Sequence, residues 1–160
     1  MINETLEILV VEDIEENRKA AREFFQTQDN INVDFAVDYE EAIKKMDEKI
    51  YAAIILDNEM PKKLGDKPKK FGTDFAKRAE ALKLPLVIIT AFYHGEKETA
   101  ANLFLDDFEL QHQYNCRRFT KPKTNPRAWQ DAYTLLNSIY SEQVMREIVD
   151  AKEYCKSIKT

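Results

Sequence analysis

The chain has 160 residues, of which 44% are hydrophobic and 33% are charged, and this composition suits one globular domain with its own core. The formal net charge of −5 argues against a protein that coats nucleic acid, so we expect no direct nucleic-acid partner. No apolar run approaches the roughly 18 residues of a membrane span, and the first residues lack the features of a signal peptide, so we expect a cytoplasmic protein with no membrane partner.

Apolar runs and amphipathic segments alternate along the chain. Short runs rich in β-branched residues predict five strands, at 6–13, 31–36, 51–57, 84–90 and 116–120. Apolar residues at helical spacing predict helices at 14–26, 39–49, 72–82 and 96–108, and a long helix from Pro126 onwards. This alternation is typical of an α/β fold, in which a doubly wound five-stranded parallel sheet carries helices on both faces.

Polar side chains stand where several of the predicted strands end. They are Glu12 and Asp13 after the first strand, Asp57 and Glu59 at the third, Thr90 at the fourth and Lys121 at the fifth. The carboxyl ends of parallel strands meet at one edge of a sheet, which is where such folds place their chemistry. We therefore expect acids, a hydroxyl and a lysine to converge at this edge.

Acids, a hydroxyl and a lysine in one place support a particular chemistry. Converging carboxylates raise one another's pKa unless a cation lies among them, and Mg²⁺ commonly combines one or two carboxylates with phosphate oxygens. A carboxylate can also attack phosphorus and form an aspartyl phosphate. The metal, the lysine and the hydroxyl then neutralise the phosphoryl group, so the set favours a phosphoryl-transfer site.

Four short motifs close the predicted strands in chain order: VVED at 10–13, LDNEMP at 56–61, ITA at 89–91 and TKP at 120–122. Together these motifs resemble the receiver domain of two-component response regulators. The resemblance implies a flavodoxin-like sheet with strand order 2-1-3-4-5. It also divides the chain into a receiver domain at 1–140 and a C-terminal helical extension at 141–160.

The resemblance implies a role for each residue that matches a motif. The phosphoacceptor would be Asp57, the phosphoryl contacts Thr90 and Lys121, and the Mg²⁺ ligands Glu12 (through water), Asp13, Asp57 and the backbone carbonyl of Glu59. The cofactor would therefore be Mg²⁺, bound by the same carboxylates that surround the phosphoacceptor.

The function implied by the resemblance is that of a single-domain response regulator. It would take a phosphoryl group from a histidine kinase or a phosphotransfer protein and signal to a downstream protein through protein–protein contacts. Beyond its own phosphorylation and dephosphorylation it would not be an enzyme. Two alternatives remain open: a receiver-like scaffold or dimerisation module that works without phosphorylation, and a phosphatase that uses Asp57 as its nucleophile.

Two segments depart from the pattern of receiver domains. The stretch KKLGDKPKK at 62–70 is inserted before the third helix and carries five lysines and one aspartate. It is either a flexible solvated loop or a basic flap that attracts an anionic phosphodonor or an acidic partner. Arg118 occupies the position, three residues before Lys121, where receivers commonly carry the aromatic residue of their switch.

The last twenty residues predict one more helix. Apolar residues recur at helical spacing in this tail, at Tyr140, Val144, Ile148, Ala151, Cys155 and Ile158. An isolated helix would expose this stripe to water. We therefore expect the stripe to pack on its own domain or on a second copy of the chain, as in a homodimer.

Overall fold

The computed structural model describes residues 5–57, 59–90, 115–118 and 122–159. Its strands are β1 (Leu6–Val11), β2 (Ile31–Ala36), β3 (Ala53–Asp57), β4 (Glu59–Met60), β5 (Lys69–Lys70), β6 (Leu86–Thr90) and β7 (Asn115–Arg118). Its helices are α1 (Glu15–Phe25), α2 (Tyr39–Glu48), α3 (Gly72–Ala81), α4 (Pro126–Ile139) and α5 (Glu142–Lys159). The helix predicted at 96–108 lies outside the described residues.

Five of these strands form one parallel sheet in the order β2-β1-β3-β6-β7. Counted along the chain without the short β4 and β5, this is the order 2-1-3-4-5. The predicted doubly wound α/β fold is therefore confirmed. From β1 the chain first adds β2 on one side of that strand and then returns to add β3 on its other side. In such sheets a crevice forms at the carboxyl ends of the strands where the direction of addition reverses.

Side chains of the central strand β1 alternate between two hydrophobic cores. Ile8 and Val10 pack with α1, α4 and α5, whereas Leu9 and Val11 pack with α2 and α3. All four side chains are at most 1% exposed, and burying each stabilises the fold by about 1.5–3 kcal/mol. A parallel strand with helices on both faces reads as a continuous apolar run, which explains the unbroken sequence ILVV at 8–11.

Two helices begin at side chains that cap them. Asp38 accepts a 2.7 Å hydrogen bond from the Glu41 N–H at the start of α2. Asn125 accepts a 3.0 Å bond from the Arg127 N–H, with Pro126 as the first residue of α4. No helix among the described residues is both long enough and apolar enough to cross a bilayer.

The lysine-rich segment belongs to a short antiparallel hairpin. β4 pairs with β5 so that Glu59 lies opposite Lys70 and Met60 opposite Lys69. Met60 is fully buried in the core beneath α2 and α3, which fixes the stem of the hairpin to the domain. Within 62–70 only Lys69 and Lys70 are paired, and residues 62–69 are exposed, so the two alternatives for this segment, a solvated loop and a basic flap, both stay predictions.

Of the predicted stripe, Tyr140 packs against the domain core, but helix α5 packs on its own domain through residues outside the stripe. Met145 is fully buried and Val149 is partly buried against the core of α1 and α4, whereas Val144 is 41% and Ile158 66% exposed. The prediction assumed one continuous helix from Tyr140 onwards, but α4 ends at Ile139 and α5 begins at Glu142. This break resets the phase, so the inward face of α5 differs from the predicted one. The domain division at 140 stays a prediction.

A polar cluster closes the other end of the sheet. Lys49 Nζ lies 2.9 Å from Asp34 Oδ2 and 3.1 Å from Glu7 Oε2, and the Tyr51 hydroxyl donates to Asp34 at 2.8 Å. Burial alone would raise the pKa of Asp34, but the hydrogen bonds from Lys49 and Tyr51 outweigh it and hold that pKa below its ordinary value. The cluster therefore favours the ionised form of Asp34.

Replacing Met145 by alanine should lower the free energy of unfolding by about 2–4 kcal/mol, because the change leaves a cavity beneath α5. The matched control is Tyr154→Ala on the same helix, where the side chain is 66% exposed and the expected change is within about 0.5 kcal/mol. Urea unfolding of the two variants measures both values. Equal losses would contradict the packing of α5 described above.

Asp34→Asn should destabilise the protein by roughly 1 kcal/mol at neutral pH, through weaker hydrogen bonds to Lys49 and Tyr51. The folded pKa of Asp34 is depressed, so its contribution is present above the unfolded pKa of about 3.9 and is lost as the pH falls through the folded pKa. Urea midpoints of wild type and variant should therefore converge in acid. A difference that grows below pH of about 4 would contradict this sign.

Candidate functional site

Three acidic side chains meet at the carboxyl edge of the sheet. Glu12 and Asp13 follow the last residue of β1, and Asp57 is the last residue of β3. The two strands are neighbours, with Val11 opposite Leu56, so the ends of both strands lie side by side. One carboxylate oxygen from each of the three acids lies within 4.8 Å of the others. The structure thus brings together three of the residues that the sequence singled out.

Glu12 is held in place on all sides. It is fully buried, and its Oε1 accepts hydrogen bonds from the Asn17 amide at 3.1 Å and the Ile14 N–H at 3.3 Å. Arg18 donates to the backbone carbonyl of Glu12 at 2.9 Å. A buried polar group needs such partners, and the start of α1 supplies them to the side chain and the backbone of Glu12.

A buried lysine lies between two of the acids. Lys123 is 5% exposed, and its Nζ lies 2.6 Å from Asp57 Oδ2 and 2.9 Å from Glu12 Oε2. The Trp129 indole donates a 2.8 Å hydrogen bond to the Lys123 carbonyl, which ties this loop to α4. Lys123 is therefore the cation that the described part of the chain supplies to the acids.

Sequence reasoning missed Lys123. The motif TKP directed attention to Lys121, which lies outside the described residues, so its predicted contact with the phosphoryl group stays a prediction. The stretch KPK at 121–123 offers two lysines two residues apart, and this repeat was the signal that a second candidate existed. Which lysine turns inward depends on the path of the loop into α4, which the sequence pattern does not specify.

The cluster carries more negative charge than its lysine can balance. Burial raises the pKa of Asp57 to about 7; Lys123 opposes this shift, and the negative charges of Glu12 and Asp13 add to it. Burial and the neighbouring Glu12 also raise the pKa of Asp13. Burial disfavours the charged form of Lys123, but Asp57 and Glu12 outweigh it and raise the lysine's pKa. Three carboxylates beside one ammonium group can accommodate a further cation.

The donor set fits a hard divalent cation. All three acids offer oxygen, the ligand that Mg²⁺ prefers, and their oxygens lie close enough together to share one ion. Both oxygens of Glu12 already accept hydrogen bonds from protein donors, whereas Asp13 and Asp57 are partly exposed at the rim. Asp13 and Asp57 are thus the more accessible ligands, and Glu12 is the more enclosed one.

The remaining predicted residues border the same edge. Glu59 begins β4, and its N–H donates a 3.4 Å bond to Asp57 Oδ1. Ile89 lies opposite Asp57 in the register of β3 and β6, which places Thr90 one residue further toward this edge. Arg118 lies opposite Thr90 on β7. The roles of the Glu59 carbonyl and of Thr90, whose side chain is not described, stay predictions.

Comparison with known proteins agrees with this fold. A family model described as the response regulator receiver domain matches residues 8–108. No curated protein matches the chain.

Solved structures of response regulators share the fold. The chemotaxis response regulator CheY4 of Vibrio cholerae is 19% identical, with a TM-score of 0.58 over 82% of this chain and 98% of that one. A two-component response regulator from Clostridium difficile is 18% identical, with a TM-score of 0.57 over 86% and 100%. The response regulator TrrA from Thermotoga maritima, solved in complex with Mg²⁺-BeF, is 25% identical, with a TM-score of 0.54 over 82% and 99%.

Lys123→Met should lower the free energy of unfolding by about 3 kcal/mol at neutral pH, because it leaves Glu12 and Asp57 buried without their shared cation. The matched control is Lys121→Met, for which we expect a change within about 1 kcal/mol. Urea unfolding followed by the fluorescence of Trp129, the single tryptophan, measures both. A larger loss for Lys121→Met than for Lys123→Met would contradict the assignment of Lys123 to the cluster.

Proposed function

The chain belongs to the response regulator receiver domain family, and on that premise we propose that it accepts a phosphoryl group on Asp57 from a histidine kinase or a phosphotransfer protein. One observation carries the proposal: the Asp57 carboxylate ends β3 within a cluster of two further acids and one buried lysine. This combination supports a carboxylate nucleophile with charge-neutralising groups beside it.

Asp57 supplies the nucleophile. In the proposed step an oxygen of its carboxylate attacks the phosphorus of a phosphohistidine on the donor protein. The bond from phosphorus to the imidazole nitrogen breaks, its electron pair stays on the imidazole, and the product is an acyl phosphate on Asp57. If the other ring nitrogen of the phosphohistidine carries a proton, the donor leaves as neutral imidazole; if it does not, the imidazolate takes up a proton from water, so that atoms and charge balance.

Lys123 supplies a fixed positive charge next to the nucleophile. Its Nζ already contacts Asp57 at 2.6 Å, and the raised pKa keeps it protonated at neutral pH. A transferred phosphoryl group adds negative charge at this place, and a preorganised cation stabilises such charge without reorganisation. We propose Lys123 as a lysine that pairs with the phosphoryl oxygens; whether Lys121 contributes remains a separate prediction.

Mg²⁺ is the cofactor we propose for this site. Asp13 and Asp57 would hold it, with Glu12 contributing from its enclosed position and the Glu59 carbonyl as a further predicted ligand. When bound, Mg²⁺ neutralises charge on the phosphoryl oxygens. Support comes from the clustered carboxylates: burial raises the pKa of Asp57 and Asp13, and the neighbouring negative charges add to this shift, which a bound cation would offset. The structural neighbour solved with Mg²⁺-BeF adds to this support.

The proposed output is a change in contacts with other proteins rather than turnover of a substrate. We propose that the chain is not an enzyme beyond its own phosphorylation and dephosphorylation, and that phosphorylation alters its affinity for a downstream protein. Arg118 stands in register with Thr90 on β7, in place of the aromatic residue expected there. We therefore expect the signalling surface to respond through a polar residue at this position.

Incubation with acetyl phosphate and Mg²⁺ should add one phosphoryl group to the wild-type protein, detected as a mass shift by intact-protein mass spectrometry. Asp57→Asn should remove the adduct, because the amide is not a nucleophile of comparable strength. Asp47→Asn, an exposed aspartate on α2, is the matched control and should label like wild type.

The outcomes separate the proposal from its alternatives. Absence of labelling in the wild type would overturn the proposal and favour a scaffold that works without phosphorylation. Steady release of inorganic phosphate from a phosphomonoester such as p-nitrophenyl phosphate would instead favour the phosphatase. Labelling that depends on Asp57 but not on Mg²⁺ would contradict the cofactor assignment alone.

A further inference from the structure

The lysine-rich segment is a second feature of the carboxyl edge, and phosphoryl transfer to Asp57 does not require it. We define the basic hairpin as residues 59–70, which comprise β4, β5 and the connection between them. Its residues 62–70 contain five lysines against one aspartate, in a chain whose net charge is −5. The positive charge of the hairpin is therefore local and opposite in sign to that of the protein as a whole.

The basic hairpin is fixed to the start of α2. The N–H groups of Tyr39 and Glu40 donate to the carbonyls of Pro61 at 3.0 Å and Lys62 at 3.1 Å. These are N–H groups of the first helical turn, which have no partner within a helix. Asp38 Oδ2 accepts a 2.9 Å bond from the Leu64 N–H. The hairpin and the helix thus satisfy one another's backbone groups, and the lysines are presented on a fixed support.

Four lysines of the basic hairpin, Lys62, Lys63, Lys67 and Lys69, are exposed. Among the residues that the structure describes, no carboxylate lies within ion-pair distance of any of these four. Leu64, in the same segment, is 63% exposed. Exposed cations with no carboxylate partner among the described residues are free to pair with an acidic surface of another protein.

The position of the basic hairpin relates it to Asp57. β4 starts two residues after Asp57, and the Glu59 N–H donates to the Asp57 carboxylate. A protein that delivers a phosphoryl group to Asp57 must reach the carboxyl edge of the sheet. The surface of such a protein would therefore lie against, or next to, the basic hairpin.

We propose that the basic hairpin is a docking site for an acidic surface of the protein that exchanges a phosphoryl group with Asp57. The inference rests on the proposed function and adds the chemistry of the partner to it. A small anionic donor fits less well, because it needs several donors that converge on one point, whereas these lysines spread along an exposed segment. A nucleic acid fits less well, because in the proposed function the phosphodonor that approaches Asp57 is a protein.

The binding test uses a fluorescein-labelled peptide of glutamate and leucine as the probe, with fluorescence anisotropy as the readout. Lys63→Glu/Lys67→Glu reverses two charges of the basic hairpin and should weaken binding about tenfold at low salt. Lys156→Glu/Lys159→Glu makes the same change in net charge on the exposed end of α5 and should bind like wild type. The difference between the variants should shrink at roughly 0.5 M salt, because screening shortens the reach of exposed charges.

A second readout locates the contact directly. Carbodiimide joins glutamates of the bound peptide to lysines within contact distance, and mass spectrometry identifies the lysines. Cross-links should concentrate on the basic hairpin. Equal weakening by both double variants, or cross-links spread evenly over the lysines of the chain, would overturn the proposal. A thymidine oligonucleotide of equal charge that binds as tightly as the peptide would overturn the assignment to a protein.

Labelling with acetyl phosphate distinguishes a failure of this inference from a failure of the proposed function on which it rests. Lys63→Glu/Lys67→Glu should still label on Asp57 at a rate within about twofold of wild type, because the lysines act on docking and not on chemistry. A loss of labelling in this variant alone would show that the hairpin serves small donors, and would overturn the docking assignment. A wild type that binds the peptide but never labels would overturn the proposed function and leave only an acid-binding surface.

Discussion

The ion pairs that Lys123 forms with the buried Glu12 and the partly exposed Asp57 are the constraint on which the carboxyl edge of this fold depends. Removing an ammonium group and two carboxylates from water costs several kcal/mol for each ion, and only close contacts offset that cost. The contacts of 2.6 Å to Asp57 and 2.9 Å to Glu12 meet this requirement. They also join β1, β3 and the loop before α4, three segments that are distant in sequence. The site therefore contributes to the packing of the domain as well as to its chemistry.

The same constraint explains how neighbouring residues are arranged. Glu12 needs partners for its second oxygen, and Asn17 and the Ile14 N–H supply them. Lys123 needs a fixed backbone, and the bond from the Trp129 indole to its carbonyl provides it. Trp129 lies on α4 and is itself buried in the hydrophobic core. The core therefore sets the position of the Lys123 ammonium group through this indole. Charge at the edge and packing beneath it are thus coupled.

The sequence predicted the sheet and the three acids because both follow from local patterns. A strand buried on both faces is a run of apolar residues, and its end can be placed to within about two residues, so Glu12, Asp13 and Asp57 could be assigned to the ends of strands. Lys123 could not, because a long side chain reaches the site from a loop whose path depends on tertiary contacts. Strand β4 was also missed, because it is two residues long and too short to show any periodicity. The break between α4 and α5 was missed because no glycine or proline marks it at Ser141, and this break changed which residues of α5 face the core.

Two sets of positive charge now stand at one edge of the sheet, and their surroundings give them different roles. Lys123 is buried, so solvent and salt screen it little, and it acts at contact distance on Asp57. Four lysines of the basic hairpin are exposed, so their effect is weak at any one contact but extends over several ångströms at low salt. A buried cation alters the free energy of a bound phosphoryl group, whereas exposed cations alter how often a charged partner arrives in a suitable orientation. Under the proposed function, reactivity and encounter would therefore depend on different lysines of the same edge, and a substitution in one set would leave the other in place.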